Sequence, residues 1–288
     1  MNIDSHHHLW RYDSKQYPWI GPEMPALRRD FWIDELTQLA RDQNIDRFVT
    51  VQARQLVDET EDLLAAAEIC DRMVGVVGWL PIADGDFDAH LERFSGRKRL
   101  VGLRHVIQDL RDDDFWMGDA FHRGLDKLPA RGLTYDLLIF ARQLETSVRF
   151  VDKHPDLRIV IDHIAKPTIA ADNFDQNWKK HLSEISRRGN VWCKWSGVAT
   201  EVRDDDWNIE TIRPYFDTVL EAFGPERMMF GSDWPVCLLA TEYGRWQSVT
   251  EQLIAALTPS EQAAIRGGTA AHFYNLPSGS KGGSHAGD

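Results

Sequence analysis

Near its start the chain reads Ile3-Asp4-Ser5-His6-His7-His8. If Ile3–His8 is a strand, side-chain alternation puts His6 and His8 on one face. Two imidazoles on one face can ligate a metal, or hydrogen-bond a reacting carbonyl. The plain alternative is a remnant of an affinity tag. Three histidines are few for a tag, however, and these lie inside a strand-like run. Two more groups sit where such runs end. His163 follows Ile159-Val160-Ile161, and Asp233 stands in Phe230-Gly231-Ser232-Asp233-Trp234-Pro235. Histidine beside carboxylate can move protons or hold a divalent ion.

Positioning these groups needs a scaffold, and the sequence supplies one. Eight short β-branched or apolar runs read as strands: Ile3–His8, Phe48–Ala53, Met73–Leu80, Leu100–Ile107, Leu133–Phe140, Arg158–Ile164, Val191–Gly197 and Met228–Asp233. Longer amphipathic stretches lie between most of them, including Asp58–Asp71, Gln143–His154, Trp178–Arg188 and Ile209–Phe223. The stretch from Asp58 carries acids in its first turn, and His154-Pro155 and Arg188-Gly189 read as helix stops. Strands alternating with helices predict βαβ units and a parallel sheet. Eight units in 288 residues match an α/β (β/α)8 TIM barrel, a fold of about 250 residues. A doubly wound sheet would carry a Gly-x-Gly-x-x-Gly turn after the first strand, and none is there. The single barrel is expected over 1–276, with 277–288, rich in Gly and Ser, as a disordered tail. The first connection, Leu9 to Arg47, begins as an irregular loop expected over the barrel mouth.

A barrel of this kind builds its site at the C-terminal ends of its strands. Polar residues collect there: His6 and His8, Gln52 and Arg54, Trp79, Arg104 and His105, Tyr135 and Asp136, Asp162 and His163, Lys194 and Ser196, Ser232, Asp233 and Trp234. A polar side chain inside a barrel is costly unless paired, so this placement argues for function. Simpler readings compete at several positions. Asp136 and Asp162 are expected to point outward and cap the following loops. Of Arg104 and His105, neighbours on one strand, only one can face the mouth. Trp79 and Trp234 are expected to be packing residues that also wall a pocket, and Lys166-Pro167 shapes a loop.

Composition removes other classes. A net charge of -12 disfavours nucleic acid and anionic membranes as partners. No run approaches the ~18 apolar residues of a membrane span. No basic-then-apolar leader is visible at the N-terminus. The three cysteines, Cys70, Cys193 and Cys237, form no CxxC pair, which fits a reducing cytoplasm better than a disulfide framework. No Gly-x-Ser-x-Gly elbow is present for a nucleophilic serine.

Five segments, in order, carry a resemblance: Ile3-Asp-Ser-His-His-His-Leu-Trp, Val101-Gly-Leu-Arg-His, Asp162-His-Ile-Ala-Lys-Pro, Val191-Trp-Cys-Lys-Trp-Ser-Gly and Phe230-Gly-Ser-Asp-Trp-Pro. The chain resembles the amidohydrolase superfamily, in its branch of sugar-lactone and dicarboxylate-lactone hydrolases. The resemblance implies a (β/α)8 barrel, with His6 and His8 as the strand 1 pair, His163 as the later histidine and Asp233 as the strand 8 aspartate. Two-metal members add a bridging lysine or glutamate after strand 4. Gly102-Leu-Arg-His-Val offers none, so the resemblance implies at most one zinc, through His6, His8 and Asp233, with no cofactor obligatory.

The expected chemistry is hydrolysis of a sugar lactone, such as L-fuconolactone or a related aldonolactone. Asp233 would activate water, and His6, His8 and His163 would polarise the carbonyl. Arg54, Trp79, Arg104, His105, Lys194 and Trp234 are the candidates for holding substrate. The rivals are a dicarboxylate lactonase, which needs several arginines in the mouth, where Arg54 and Arg104 give some support, a zinc-dependent decarboxylase on the same barrel, and a non-catalytic sugar-acid or metal binder.

Overall fold

The computed structural model describes residues 1–170, 173–204 and 207–277. Of the tail read as disordered, all but Pro277 lies outside the described residues. Eight parallel strands run in chain order: β1 (Ile3–His7), β2 (Arg47–Val51), β3 (Met73–Gly78), β4 (Leu100–Val106), β5 (Thr134–Leu138), β6 (Ile159–Ile161), β7 (Val191–Trp195) and β8 (Met228–Phe230). A helix follows each: α1 (Ile33–Asp42), α2 (Val57–Ile69), α3 (Phe87–Arg93), α4 (Asp119–Leu125), α5 (Leu144–Asp152), α6 (Gln176–Ile185), α7 (Ile209–Phe223) and α8 (Tyr243–Ile254). This is the expected (β/α)8 barrel. The seam between β8 and β1 is joined just past the end of β8. His7 bridges Trp234 in parallel sense, His8 N–H donates to Trp234 O at 2.7 Å, and Asp233 N–H donates to His6 O at 2.7 Å.

Local sequence explains the helix borders. Asn208 caps α7 by accepting from Glu210 N–H at 2.9 Å and Thr211 N–H at 3.2 Å. Asp175 caps α6 by accepting from Trp178 N–H at 2.9 Å. Such caps satisfy backbone donors that a helix leaves free at its start.

Two apolar layers hold the barrel. Outward-facing strand residues, among them Phe48, Leu103, Ile161 and Trp195, pack under the helices. Inside, Val49, Val51, Val77, Val160 and Met229 pack against Phe273, Tyr274 and Leu276. These last three belong to or follow a final helix, α9 (Thr269–Phe273), whose segment closes the lower end of the barrel. Each fully buried side chain of this size contributes about 1.5–3 kcal/mol. The first connection is irregular between Leu9 and Trp32 apart from a 3-10 turn at Pro25–Leu27. Trp10 and Phe31 clasp its two arms through paired backbone bonds of 2.9 Å.

All eight strands end earlier than their expected sequence runs, and for three of them the difference bears on the site. The ladders stop at His7, Ile161 and Phe230, so His8, His163 and Asp233 lie just beyond them. At His163 and Asp233 the backbone turns left-handed.

Candidate active site

One carboxylate oxygen gathers three imidazoles. Asp233 Oδ1 lies 3.4 Å from His8 Nε2, 3.8 Å from His6 Nε2 and 3.9 Å from His163 Nε2. All four residues are buried. His6 and His8 point inward from the first strand region, as alternation predicts, and His7 points outward to Thr50 Oγ1 at 2.9 Å. His8 Nδ1 is 2.9 Å from Val51 O, so Nδ1 carries a proton, and Nε2 faces Asp233.

His163 and Asp233 are placed by unusual backbone. His163, Ile164, Ala165 and Lys166 all have φ between +47° and +63°, and Asp233 has φ +56°. A left-handed run costs roughly 1–2 kcal/mol per non-glycine residue and persists only when its surroundings impose it. Here Lys166 N–H donates to His163 O at 2.8 Å, and Trp178 Nε1 donates to Ile164 O at 2.7 Å. Ser196 Oγ holds His163 Nδ1 at 3.0 Å. Gly197 completes the packing: a Cβ there would stand 2.5 Å from His163 Nδ1 and 2.8 Å from Asp233 Oδ2.

Beneath the imidazoles lies a balanced set of buried charges. The outward placement expected for Asp136 and Asp162 is overturned; both point into the barrel and are fully buried. Lys194 Nζ donates to Asp136 Oδ2, and lies 3.1 Å from Asp162 Oδ1 and 3.1 Å from His6 Nδ1. Arg104 Nη1 donates to Asp162 Oδ2 at 3.0 Å, and its Nη2 donates to Gln52 O. Two cations facing two carboxylates explain how such charges survive burial.

The electrostatics follow from this packing. Burial alone would raise the Asp233 carboxyl, but the imidazoles of His163 and His8 and the Lys166 ammonium outweigh it and hold it below its ordinary value. Burial lowers His163 to about 4. Burial, then the Lys194 charge, holds His6 well below its ordinary value.

On the outer face, Asp4 braces the Asp233 turn. Its carboxylate accepts from Ser232 N–H at 2.8 Å, Ser232 Oγ at 2.6 Å and Tyr243 OH at 3.2 Å. Burial raises the Asp4 carboxyl to about 6 against these hydrogen bonds. Sequence reading passed over Asp4: alternation would set it on the face of His6, and the register shift between Asp4 and His7 is what leaves it on the outer face.

The Amidohydrolase family profile matches residues 3–276. The chain is 40% identical to an L-fucono-1,5-lactonase of Burkholderia multivorans, over 96% of this chain and 97% of that protein. It is 35% identical to an L-fucono-1,5-lactonase of Burkholderia ambifaria, over 97% and 98% of the two chains. A crystal structure of an amidohydrolase from Burkholderia multivorans with bound zinc superposes with a TM-score of 0.91, at 39% identity, covering 96% of this chain and all of that one. The chain belongs to the amidohydrolase family.

Amidohydrolase metal chemistry can be tested against these side chains. The ligand atoms of His6, His163 and Asp233 lie within 4.8 Å of one another. His8 Nε2, 3.4 Å from Asp233 Oδ1, flanks them. Imidazole nitrogens and a carboxylate suit zinc. His6 Nε2 could ligate if Nδ1 carried the proton, with Asp162 Oδ1 as its acceptor 3.3 Å away. The donor set therefore fits one zinc, held by His6, His163 and Asp233 with His8 beside them. His6, Asp136 and Asp162 form a second close group, but the Lys194 ammonium already occupies its negative charge.

The remaining predicted residues are spread around this amidohydrolase centre. Arg104 is the inward member of its pair. His105 faces the other way, against Phe115 and Phe121, and its Nδ1 accepts from Trp79 Nε1 at 3.1 Å. Trp79 itself is half-buried. Trp234 is fully buried edge-on against Phe31, with ring centres 5.2 Å apart. Arg54 pairs with Glu59 at 3.3 Å and stacks over Tyr17, lining a separate groove with Trp10 and Trp32. Lys194 lies below the imidazoles, reaching His6 from beneath.

Proposed function

We propose that this protein hydrolyses a sugar lactone, L-fucono-1,5-lactone or a closely related aldonolactone, to the aldonic acid. The observation that carries this reading is the meeting of three imidazole Nε2 atoms around Asp233 Oδ1, at 3.4, 3.8 and 3.9 Å. It agrees with the names of the two Burkholderia relatives.

Asp233 is ionised at neutral pH and accepts a proton from the attacking water. His8 Nε2, 3.4 Å from Asp233 Oδ1, helps to orient that water. The water oxygen bonds to the lactone carbonyl carbon, and the carbonyl oxygen gains negative charge. N–H donors of His6 and His163 polarise that oxygen; one such donor is worth roughly 10²–10³ in rate. Collapse breaks the bond from the carbonyl carbon to the ring oxygen. Asp233 returns its proton to that oxygen, and the new carboxylic acid loses its proton to solvent. A zinc, where bound, supplies Lewis-acid polarisation of the same carbonyl. The reading makes no metal obligatory, because the Arg104 guanidinium, 3.3 Å from His6 Nε2, and Lys194 already bring positive charge to this histidine.

A dicarboxylate lactonase is less well supported: Arg104 is committed to Asp162 and Arg54 to Glu59. A pH-indicator assay of an aldonolactone panel, on metal-stripped protein with and without chelator, tests the proposal. Fast acid release from L-fucono- and L-galactono-lactones in chelator is expected. No release from any lactone, with or without added zinc, overturns it.

A further inference from the structure

The mechanism uses no residue beyond Asp233, yet one later side chain reaches the catalytic core. Tyr274 follows α9 in the segment that closes the lower end of the barrel, and it is almost fully buried. Its hydroxyl donates to the Asp136 carboxylate, 2.8 Å from Oδ2 and 3.0 Å from Oδ1. Its ring centre lies 5.6 Å from Lys194 Nζ, which Asp136 also holds.

We infer that Tyr274 is a positioning residue which, through Asp136 and Lys194, fixes the tautomer of His6. An ammonium has three protons to donate. Lys194 has three acceptors in reach: Asp136 Oδ2, Asp162 Oδ1 at 3.1 Å and His6 Nδ1 at 3.1 Å. Neutral His6 has one acceptor nitrogen. Arg104 Nη1 is farther from the ring, at 3.3 Å from Nε2, and already donates to Asp162 at 3.0 Å. Asp162 Oδ1, 3.3 Å from Nδ1, is the rival acceptor for an Nδ1 proton, but the Lys194 ammonium stands nearer to both atoms, at 3.1 Å from each, and donates to them. The acceptor is therefore Nδ1, and the proton sits on Nε2, facing Asp233. Removing the Tyr274 hydroxyl frees Asp136 to shift, and Lys194 with it.

This inference rests on the lactonase reading only for its kinetic consequence. The test uses Tyr274→Phe, which keeps the ring over Lys194. Nitrogen-15 NMR of the His6 ring, assigned by the signal lost in His6→Gln, reads the tautomer directly in metal-free protein. The wild type should show Nε2–H, and Tyr274→Phe should show a mixture. Turnover of L-fuconolactone should fall roughly ten-fold, in kcat with KM unchanged. A wild-type ring protonated at Nδ1 overturns the inference without any variant. So does a folded Tyr274→Phe protein with the wild-type tautomer and kcat. If the wild type opens no lactone, the lactonase reading fails, while the His6 signals still decide this one.

Discussion

His163 and Asp233 share a backbone conformation as well as a contact: φ is +53° and +56°, and His163 Nε2 stands 3.9 Å from Asp233 Oδ1. Each lies just past the end of its strand, where the chain turns back over the barrel mouth. Strain at both positions brings together two groups that regular strands would hold apart. The chemistry of the pair sets the first expectation.

Asp233→Asn is nearly isosteric and should leave the fold intact while lowering kcat by about 10² or more, the scale of a lost general base. Steady-state kinetics beside a thermal melt checks it. Wild-type turnover in a protein of unchanged melting temperature would remove Asp233 from the proton-transfer role.

Gly197→Ala should damage activity and stability together. Its φ of +62° disfavours any side chain, and the added Cβ would press on both His163 and Asp233. A stability loss of at least about 1 kcal/mol is expected from the backbone alone. Urea unfolding and lactone turnover measure the two effects, and turnover should fall even where the folded fraction is complete.

The pH dependence follows from the directions of the shifts. Asp233 is held below its ordinary value and His163 near 4. Lowered values mean that Asp233 stays ionised and His163 stays neutral until the solution is more acidic than those values. After correction for spontaneous lactone opening, kcat/KM should be flat from pH 8 down to about 5 and fall only near pH 4. An acid limb centred above pH 6 would contradict the assigned protonation states.

Lys194→Met should be the most destabilising of these variants. It would leave Asp136 and Asp162 buried with Arg104 as the nearby cation, and breaking a buried pair costs about 3–5 kcal/mol. Equilibrium unfolding checks it. A change within 0.5 kcal/mol, the range of an ordinary surface substitution, would show that the ammonium is not what keeps those carboxylates buried.

Much of this was readable from residue order. Eight β-branched runs separated by amphipathic stretches specify the barrel, because each strand must cover its neighbours and each helix must cover the strands. His6, His8, His163 and Asp233 were legible because polar groups at the ends of apolar runs need a reason to be there. The inward course of Asp136 and Asp162 was not. A lone buried carboxylate is so costly that an outward cap is the natural expectation, and only the shared ammonium of Lys194 reverses it. The signal was present in Trp192-Cys193-Lys194-Trp195: a lysine inside an apolar strand must have buried anions near it. Trp234 was read as a packing residue that also walls a pocket, and it does pack: its ring lies wholly buried against Phe31 in the first connection. Tyr274 was invisible for a different reason. It belongs to no strand end, and only the return of the C-terminal segment beneath the barrel brings its hydroxyl to Asp136.

The backbone bonds that join Asp233 to His6 and His8 to Trp234 give the ring a second meaning. In the proposed mechanism, catalysis and closure share one seam, between the first strand made and the last. A partly synthesised chain has its histidines but lacks the aspartate, and an opened ring separates them. Turnover per molecule is then a gauge of completed folding: a preparation's specific activity counts the shut rings in it, and a damaged or unfinished copy is silent rather than sluggish.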